Sequence, residues 1–344
     1  MKYSGRYEIF NPEIINNYPV RERTNKVKRS DLITTQEVGN LEIEIDAEVE
    51  ERITMLAKEI ISARKKNHPV IFFTGAHLVK NGLSLLLGDL IKRDFITMLS
   101  GNGATSIHDF ELGLIGETSE YVPQALEKGQ FGMAFEFNYI NAALTVGNRY
   151  NLGYGESVGR MMHDEQFRAE VAEVLGIDVS EINFQYPEMS LQYVCYEKSI
   201  PMTIHVGIGT DVLDQHKYFD GCAKGGCSGI DFLLYTNEIT KLSEGGVIIN
   251  VGSAVTGPEV FLKAASMAGN TGYVPKNIIT ANFDLRPYNP TSFTNDNSVG
   301  YYFRDQKSIV TRVPEAYHGH GYYIGGNQKN TIPALYKKLI ELSK

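Results

Sequence analysis

Short apolar runs that lead directly into glycine-bearing turns recur along this chain, and this pattern constrains its fold most strongly. In the first case, residues 70–73 (Val-Ile-Phe-Phe) lead into Thr-Gly-Ala-His at 74–77, and a helical pattern follows as far as Lys92. Similar apolar runs cover residues 95–99, 202–206, 247–251 and 278–283. Buried strands that turn directly into helices are typical of a parallel sheet with crossover helices. The sequence therefore predicts an α/β fold with a doubly wound, mostly parallel sheet.

The rest of the chain divides into an arm and one domain. Residues 1–40 show no regular pattern, and within them the segment 21–29 carries five basic residues and one acidic residue. Apolar residues spaced three and four apart, or long apolar stretches, predict helices elsewhere: these cover residues 45–66, 135–175 and 333–342. We predict an N-terminal arm at 1–40, lying on its own or a neighbouring subunit, and a single nucleotide-binding domain at 41–344.

Charge and composition exclude several classes of function. The chain has 33 Lys and Arg against 41 Asp and Glu, a net charge of -8, so nucleic-acid phosphates would be repelled overall. Three cysteines are too few for a disulfide scaffold, and no apolar run approaches the ~18 residues that a membrane span needs. Residues 1–10 lack the apolar stretch of a secretion signal. We expect a cytoplasmic protein without nucleic-acid or membrane partners.

Four glycine turns are predicted where an open parallel sheet binds its ligands, outside the carboxyl ends of the strands. They cover residues 74–77, 100–104, 207–211 and 252–254. Glycine lets an anionic group approach the backbone, and the helix that follows offers its first N–H groups. A plain strand-to-helix connection explains any one of these turns equally well. Together, the four turns favour a nucleotide or a phosphorylated ligand.

Titratable side chains gather at or just after these strand ends. Histidine titrates near neutral pH and suits proton transfer, so a group of such residues at this edge indicates an active site. We predict that three residues after the third strand of the sheet transfer protons: His205, Asp211 and His216. His108, Asp109 and Glu111 lie in the first turns of a helix, where a carboxylate either caps the helix or accepts a ribose hydroxyl.

Two groups of residues contain metal-ligand types but lack the spacing of a common metal site. Cys222 and Cys227 have four residues between them and no second pair, and His318 and His320 lie near Glu315. Zinc-binding cysteine pairs usually have closer spacing and a second pair. Loops without a metal explain both groups better, and we predict no metal site.

Two segments of the sequence resemble the deoxyhypusine synthase-like superfamily. They are residues 71–82 (IFFTGAHLVKNG) and 101–111 (GNGATSIHDFE), and the second is also similar to the C-terminal NAD-binding domain of archaeal ornithine cyclodeaminases. Residues 219–221 and the strand and turn at 246–253 match in order and approximate spacing. The resemblance implies a sheet of deoxyhypusine synthase type, NAD as cofactor, and tetramers with sites at subunit interfaces.

The resemblance also implies which residues contact the cofactor. His77 and Asn81 lie where the first strand-to-helix turn touches NAD in these relatives, and Asp109 lies where an acidic residue holds a ribose. Asp220 and Gly252 complete the cofactor side. Five consecutive residues correspond to the diphosphate loop: Ser100, Gly101, Asn102, Gly103 and Ala104.

The catalytic lysine of the deoxyhypusine synthases has no clear equivalent in this sequence. Those enzymes carry it in a Trp-Gly-Lys setting and form an imine on it, whereas this chain has no Trp and no Gly-Lys in its C-terminal third. Lys307 and Lys329 are the candidates to replace it, but their neighbours in sequence do not favour a lowered pKa. We therefore predict a diverged C-terminal segment and no deoxyhypusine synthesis.

The leading functional hypothesis is a NAD-dependent enzyme that acts on a small amine or amino-acid-like substrate. One alternative is a nucleotide-binding scaffold that lacks catalysis. Another is a transferase or hydrolase for a phosphorylated substrate, with Arg304 and Arg312 as anion clamps. We also expect a homo-oligomer, specifically a tetramer, because the basic arm can lie on a neighbour and residues 135–144 are apolar on more than one helical face.

Overall fold

A six-stranded parallel sheet forms the centre of the protein, as described by a computed structural model covering residues 3–344. The strands in chain order are β1 (Asn25–Lys28), β2 (Val70–Thr74), β3 (Met98–Asn102), β4 (Glu117–Glu120), β5 (Met202–His205), β6 (Val247–Val251), β7 (Ile279–Asp284) and β8 (His320–Gly325). The sheet has the order β5-β3-β2-β6-β7-β8, with all neighbours parallel, and β1 pairs separately with β4. The predicted doubly wound, mostly parallel α/β fold is confirmed.

Helices cover both faces of this sheet. They are α1 (Ala47–Lys65), α2 (His77–Lys80), α3 (Ser84–Lys92), α4 (Gly103–Ile115), α5 (Val122–Glu127), α6 (Phe137–Arg149), α7 (Tyr154–His163), α8 (Glu165–Leu175), α9 (Leu191–Glu197), α10 (Gly221–Thr240), α11 (Thr256–Asn270), α12 (Val313–Ala316) and α13 (Gln328–Leu342). The helix predicted up to Lys92 is thus divided into α2 and α3. The last helix begins at Gln328, before its predicted start at residue 333. Within residues 3–344, no helix combines the length and apolar character of a membrane span.

Burial on both faces explains why the central strands are continuous apolar runs. All five residues of β2 are buried. Val70 and Phe72 pack in the cluster that contains residues of α1 and α13, whereas Ile71 and Phe73 pack in the cluster that contains residues of α10 and α11. Because both faces of such a strand are covered, its residues do not alternate between apolar and polar.

The winding of the chain reverses between β2 and β6. From β2 the chain continues outward through β3 to β5, then returns to the centre and continues outward through β6, β7 and β8. Because the strands are parallel, the turns at 74–77 and 252–254 end side by side at the reversal point. Open sheets of this kind bind ligands outside the carboxyl ends of the strands at such a point.

The connection from β4 to β5 is expanded into a helical lobe that contains α5 to α9. Helix α6 packs against α7, α8 and α10. Its apolar residues Phe137, Tyr139, Ile140 and Leu144 are all buried within the subunit. Internal packing therefore accounts for the apolar faces that motivated the predicted oligomer, and the tetramer itself stays a prediction.

The arm docks on its own subunit. Strand β1 pairs antiparallel with β4, which places Asn25 opposite Glu120 and Val27 opposite Thr118. Arg23, one of the basic residues of the arm, has a side chain only 4% exposed. The described residues before position 15 are exposed. The predicted arm therefore has an outer part on the surface and an inner part that belongs to the helical lobe.

Candidate functional site

Two glycines make a close contact at the reversal point. The Gly75 N–H donates to the Val251 carbonyl oxygen at 2.9 Å, and a Cβ on Gly75 would overlap the Gly252 carbonyl oxygen. Gly252 is exposed and has a φ of +62°, in the left-handed region that favours glycine. The two turns can approach this closely because Gly75 has no side chain, and the backbone at Gly252 stays accessible.

Three of the predicted cofactor residues meet around this contact. His77 is exposed at the start of α2, and burial, Lys80 and His108 together lower its pKa. The Asn81 amide donates to Gln328 Oε1 at 3.4 Å, and the Gln328 side chain lies beside the Cα of Gly252. We name the region around Gly75, His77, Asn81, Gly252 and Gln328 the reversal-point crevice; His77 and Gly252 are exposed in it, whereas Gly75 and Gln328 are buried. Sequence reasoning missed Gln328, which is 247 positions from Asn81.

The predicted diphosphate loop at 100–104 is packed by the protein itself. The buried Ser100 hydroxyl forms a hydrogen bond of 2.7 Å with the Thr203 hydroxyl, and Asn102 Oδ1 accepts the Thr105 N–H at 3.0 Å. The Asp211 carboxylate lies where a Cβ of Gly103 would be. Gly101 is buried and Ala104 is partly exposed. Residues 100–102 end β3 and residues 103–104 begin α4, so the predicted loop is not a loop in the structure. The Asp211 carboxylate that lies against the start of α4 does not suit a diphosphate.

Asp109 and Asp220 act as helix caps. The fully buried Asp109 accepts the Leu191 N–H at 2.6 Å and the Gln192 N–H at 3.0 Å, which fixes the start of α9. Burial raises its pKa even though these hydrogen bonds oppose the shift. Asp220 accepts the Cys222 N–H at 2.8 Å at the start of α10. The predicted ribose contact does not suit Asp109, because its carboxylate is enclosed and its hydrogen bonds are used for capping.

His205 is enclosed by aromatic rings at the end of β5. It stacks on Phe73 with ring centroids 5.6 Å apart, and Phe232 and Tyr235 meet it edge-on. Its Nε2 lies 3.1 Å from the Thr203 hydroxyl. Burial lowers the pKa of His205 to about 4, so the ring is neutral at pH 7. This enclosure does not suit the proton transfer predicted for His205.

We expect His205 to make the protein less stable at mildly acidic pH. In the unfolded state, His205 takes up a proton as pH falls below its ordinary pKa of 6.5. In the folded state, the ring stays neutral until about pH 4. Stability therefore falls as pH drops through this window, by about 3 kcal/mol in total. His205→Phe should remove this part of the pH dependence. Chemical denaturation at several pH values measures it, with the exposed His163→Phe as control; equal pH dependence in both variants would contradict the assignment.

His216 connects three parts of the structure. Its Nε2 lies 2.8 Å from the Gly132 carbonyl oxygen, which places the ring hydrogen on Nε2. Its Nδ1 then accepts from the amides of Asn17 at 3.1 Å and Asn138 at 3.3 Å. Burial lowers the pKa of this ring as well. His216 therefore holds the arm against the helical lobe and is not open to a substrate.

Asp211 is held by a buried lysine. Lys224 Nζ lies 2.8 Å from Asp211 Oδ2 and 2.5 Å from Asp214 Oδ1. Burial raises the pKa of Asp211, and Lys224 opposes the shift. No hydrogen bond joins any two of His205, Asp211 and His216 in the described part of the chain. The structure does not bring the three predicted proton-transfer residues into one site, because the turn and 3₁₀ segment after β5 carry them to different partners.

A cavity of about 260 Å³ lies between the arm, α2, α4 and the turn after β5, and we name it the arm cavity. Its charged and polar walls include Arg23, Lys80, His108, Glu111 and Asp211. Its apolar walls are Ala104, Ile107, Val122, Phe131, Phe137 and Val212. Among the predicted site residues, Asp211 and Ala104 line this cavity.

A buried chain of polar groups supports one wall of the arm cavity. Arg23 forms an ion pair with Glu111, and the Thr118 hydroxyl donates to Glu111 Oε2. His108 Nδ1 lies 2.7 Å from the Thr118 hydroxyl oxygen. Burial opposes ionisation of Glu111, but Arg23, His108 and Thr118 outweigh it and lower its pKa to about 2. The sequence pointed to His108 and Glu111, but it could not show that Arg23 from the arm and Thr118 from β4 would join them.

A second polar network joins the C-terminal segment to the sheet. The Asn250 amide donates to Asn282 Oδ1 at 2.6 Å, and the Asn282 amide donates to Asp305 Oδ2 at 3.2 Å. Arg286 bridges Asp305 and Asp284. These contacts fix the segment after β7, in which the sequence predicted divergence from the resembled family.

The two lysines considered for imine formation lie away from the arm cavity. The ammonium of Lys307 is 3.2 Å from the Tyr301 carbonyl oxygen and 3.2 Å from the centroid of its ring. Desolvation, Arg312 and Arg304 lower the pKa of Lys307. Lys329 is exposed in the first turn of α13. Neither lysine is among the residues that line the arm cavity.

No protein-family model and no curated protein matches this sequence. Among solved structures, the arginine dihydrolase ArgZ of the ornithine-ammonia cycle in cyanobacteria is 16% identical, with a TM-score of 0.46 over 87% of this chain and 32% of ArgZ. An LOR/SDH protein of Methanococcus maripaludis S2 is 14% identical, with a TM-score of 0.46 over 88% of this chain and 74% of that chain. A protein described as a deoxyhypusine synthase of Entamoeba histolytica is 8% identical, with a TM-score of 0.40 over 96% of this chain and 98% of that chain.

This chain spans about a third of the length of ArgZ. At these scores and identities the three likenesses assign neither a family nor an activity.

Proposed function

We propose that the protein is a NAD-dependent enzyme that acts on a small amine or amino-acid-like substrate and binds the dinucleotide across the reversal-point crevice. The strand order carries this proposal. Numbered along the chain within the sheet, β5-β3-β2-β6-β7-β8 is the order 3-2-1-4-5-6, in which dinucleotides bind where the winding reverses. The exposed Gly252 has no side chain, which would let a diphosphate approach the backbone there.

The crevice residues supply complementary polar groups for such a ligand. The diphosphate would lie over the turns that contain Gly75 and Gly252, instead of the packed loop at 100–104. The exposed His77 ring can donate to it, and the amides of Asn81 and Gln328 can bind hydroxyl groups. NAD supplies hydride transfer when bound, while the chain binds and orients the reactants.

The lining of the arm cavity supports the proposed class of substrate. Helix α2 carries His77 in the crevice at one end and Lys80 in the cavity at the other, so the two sites are neighbours. The cavity combines an apolar wall with groups of both charge signs. Such a small, mixed lining suits a molecule of amino-acid size better than a large apolar one.

NAD⁺ or NADH at a hundred times its dissociation constant is expected to stabilise the folded protein by about 2.7 kcal/mol. Ala254→Asp should abolish most of this effect, because Ala254 is exposed in the turn after β6 and a carboxylate there repels a diphosphate. Thermal unfolding with each dinucleotide measures the shift.

The exposed Ala169→Asp on α8 provides a control with the same change of charge far from the crevice. It should keep the full dinucleotide shift. No shift at millimolar dinucleotide contradicts the proposal. A shift with sugar phosphates alone would favour the transferase or hydrolase alternative and would also overturn it.

A further inference from the structure

The hydrogen-bond chain behind His108 fixes the tautomer of its ring. The Thr118 hydroxyl has a single hydrogen, which it donates to the ionised Glu111 carboxylate. The Thr118 oxygen therefore accepts the hydrogen bond from His108, and its 2.7 Å partner Nδ1 carries the ring hydrogen. The lone pair of the neutral ring is then on Nε2, which forms no hydrogen bond with any residue from 3 to 344.

The supporting groups are buried while the His108 ring reaches the arm cavity. The Glu111 side chain is 2% exposed and its partner Arg23 is 4% exposed, whereas the His108 side chain is 19% exposed and lines the cavity. Positive charge that develops on the ring is stabilised by the Glu111 carboxylate, whose Oε2 lies 3.3 Å from Nδ1, and by the Thr118 hydroxyl between them. A ring with a fixed tautomer, a carboxylate behind it and an open nitrogen in front is arranged for proton exchange.

Lys80 gives the cavity its charge preference. Across residues 3–344, its ammonium forms no ion pair and no hydrogen bond. In contrast, Arg23 pairs with Glu111 and lies 4.0 Å from Glu120, and Asp211 pairs with Lys224. A ligand with one negative charge would compensate Lys80, whereas a doubly charged phosphate would face one lysine in a cavity lined by three carboxylates.

We propose that the arm cavity binds a small carboxylate-bearing molecule, with its carboxylate on Lys80, and that Nε2 of His108 exchanges a proton with it. Arg23, Glu111 and Thr118 are positioning residues. In the forward direction Nε2 accepts the proton of a substrate O–H or N–H⁺ group, the bond to that proton breaks, and its electron pair stays on the substrate. The inference deepens the proposed function because it places the substrate, but its test uses no dinucleotide.

Iodoacetate and iodoacetamide test the site directly, because they differ mainly in the carboxylate. Either reagent alkylates imidazole when a ring nitrogen displaces iodide. We expect iodoacetate at about pH 6 to modify His108 at least about fivefold faster than iodoacetamide does, because Lys80 holds its carboxylate. Peptide mapping by mass spectrometry measures both rates, and the exposed Cys222 serves as an internal reference for each reagent.

Lys80→Met should remove the preference for iodoacetate at His108. Lys198→Met, which changes an exposed lysine at the end of α9, should retain it. Equal rates of the two reagents at His108 in the wild type, or no alkylation of His108, would overturn the proposal. Neither result affects the dinucleotide melts, so the two proposals fail separately.

The position of alkylation tests the tautomer. In the wild type the product should be Nε2-carboxymethyl-His108, because Nδ1 is engaged by Thr118. Thr118→Val removes that hydroxyl but leaves Glu111 Oε2, 3.3 Å from Nδ1, as an acceptor, so the Nδ1 product should appear only when Glu111→Leu is added. Thr145→Val on α6 should leave the product unchanged. A wild-type product on Nδ1 refutes the arrangement. If Thr118→Val does not fold, ¹⁵N NMR of the wild-type His108 ring decides, since a hydrogen on Nε2 of the neutral ring also refutes it.

Discussion

Arg23→Met is expected to lower the free energy of unfolding by about 3–5 kcal/mol at neutral pH. The substitution leaves the Glu111 carboxylate buried without its compensating charge, since the side chains of Arg23 and Glu111 are 4% and 2% exposed. The guanidinium also packs 5.6 Å from the centroid of the Phe137 ring, a contact that Met replaces only in part. Chemical denaturation of the purified variant measures the loss.

The double variant Arg23→Met/Glu111→Gln is the matched control and should recover much of this loss, because it removes the buried charge. The pH dependence gives a second check. In the wild type, the stability contributed by ionised Glu111 is present above its ordinary pKa of 4.5 and is lost as pH falls towards 2. Without Arg23, burial should raise the folded-state pKa of Glu111 above its ordinary value. The free energy of unfolding of the single variant should then increase as pH falls from about 7 to about 5. A loss below about 1 kcal/mol that is independent of pH would contradict the assignment.

Asp231→Ala is expected to cost about 4 kcal/mol, and Asp231→Asn less than about 1 kcal/mol. Asp231 Oδ2 accepts the Ile204 N–H at 2.6 Å and the Gly155 N–H at 3.1 Å, which ties β5 to the start of α7. Alanine leaves two buried N–H groups without an acceptor, at about 1–3 kcal/mol each. Asparagine keeps an acceptor oxygen in the same place, so an equal loss in both variants would refute this account.

The sign of the pH dependence at Asp231 is opposite to that at Glu111. Burial raises the pKa of Asp231 well above its ordinary value of 3.8. The folded state therefore holds a proton that the unfolded state has released, and stability falls as pH rises above 3.8 towards the folded-state pKa. Asp231→Asn cannot ionise and should lack this dependence. Unfolding of both proteins across this pH range measures the difference.

The central sheet could be predicted because its strands are buried on both faces. The runs predicted at 70–73, 202–206, 247–251 and 278–283 correspond to β2, β5, β6 and β7, because they are apolar and end in turns. The run predicted at 95–99 is displaced, since β3 covers Met98–Asn102 and includes part of the predicted glycine turn. Strands β1 (Asn-Lys-Val-Lys) and β4 (Glu-Thr-Ser-Glu) form a mostly polar ribbon without such a signal. Strand β8 begins with His-Gly, and its three buried residues form too short an apolar run to predict a strand from the sequence.

The candidate site was harder to predict because its partners come from distant parts of the chain. The resemblance assigned His77, Asn81 and Gly252 to the cofactor side, and the structure places them near one another because the topology fixes where the turns end. The same reasoning could not show that Ser190 and the start of α9 use the Asp109 carboxylate. Nor could it show that Thr118 and Arg23 would complete the chain behind His108, because these contacts depend on the docking of the arm.

The arm cavity has a consequence for the order of events during synthesis. Arg23 leaves the ribosome 88 residues before its partner Glu111, and Thr118 and the wall at 131–137 follow later still. The nascent arm therefore carries its guanidinium in water until α4 and β4 have been made and folded. In ribosome-bound chains that stop before residue 111, the Arg23 guanidinium lacks its Glu111 partner. The arm cavity can therefore form only after its later segments have left the ribosome, whereas the first strands of the sheet can form before then.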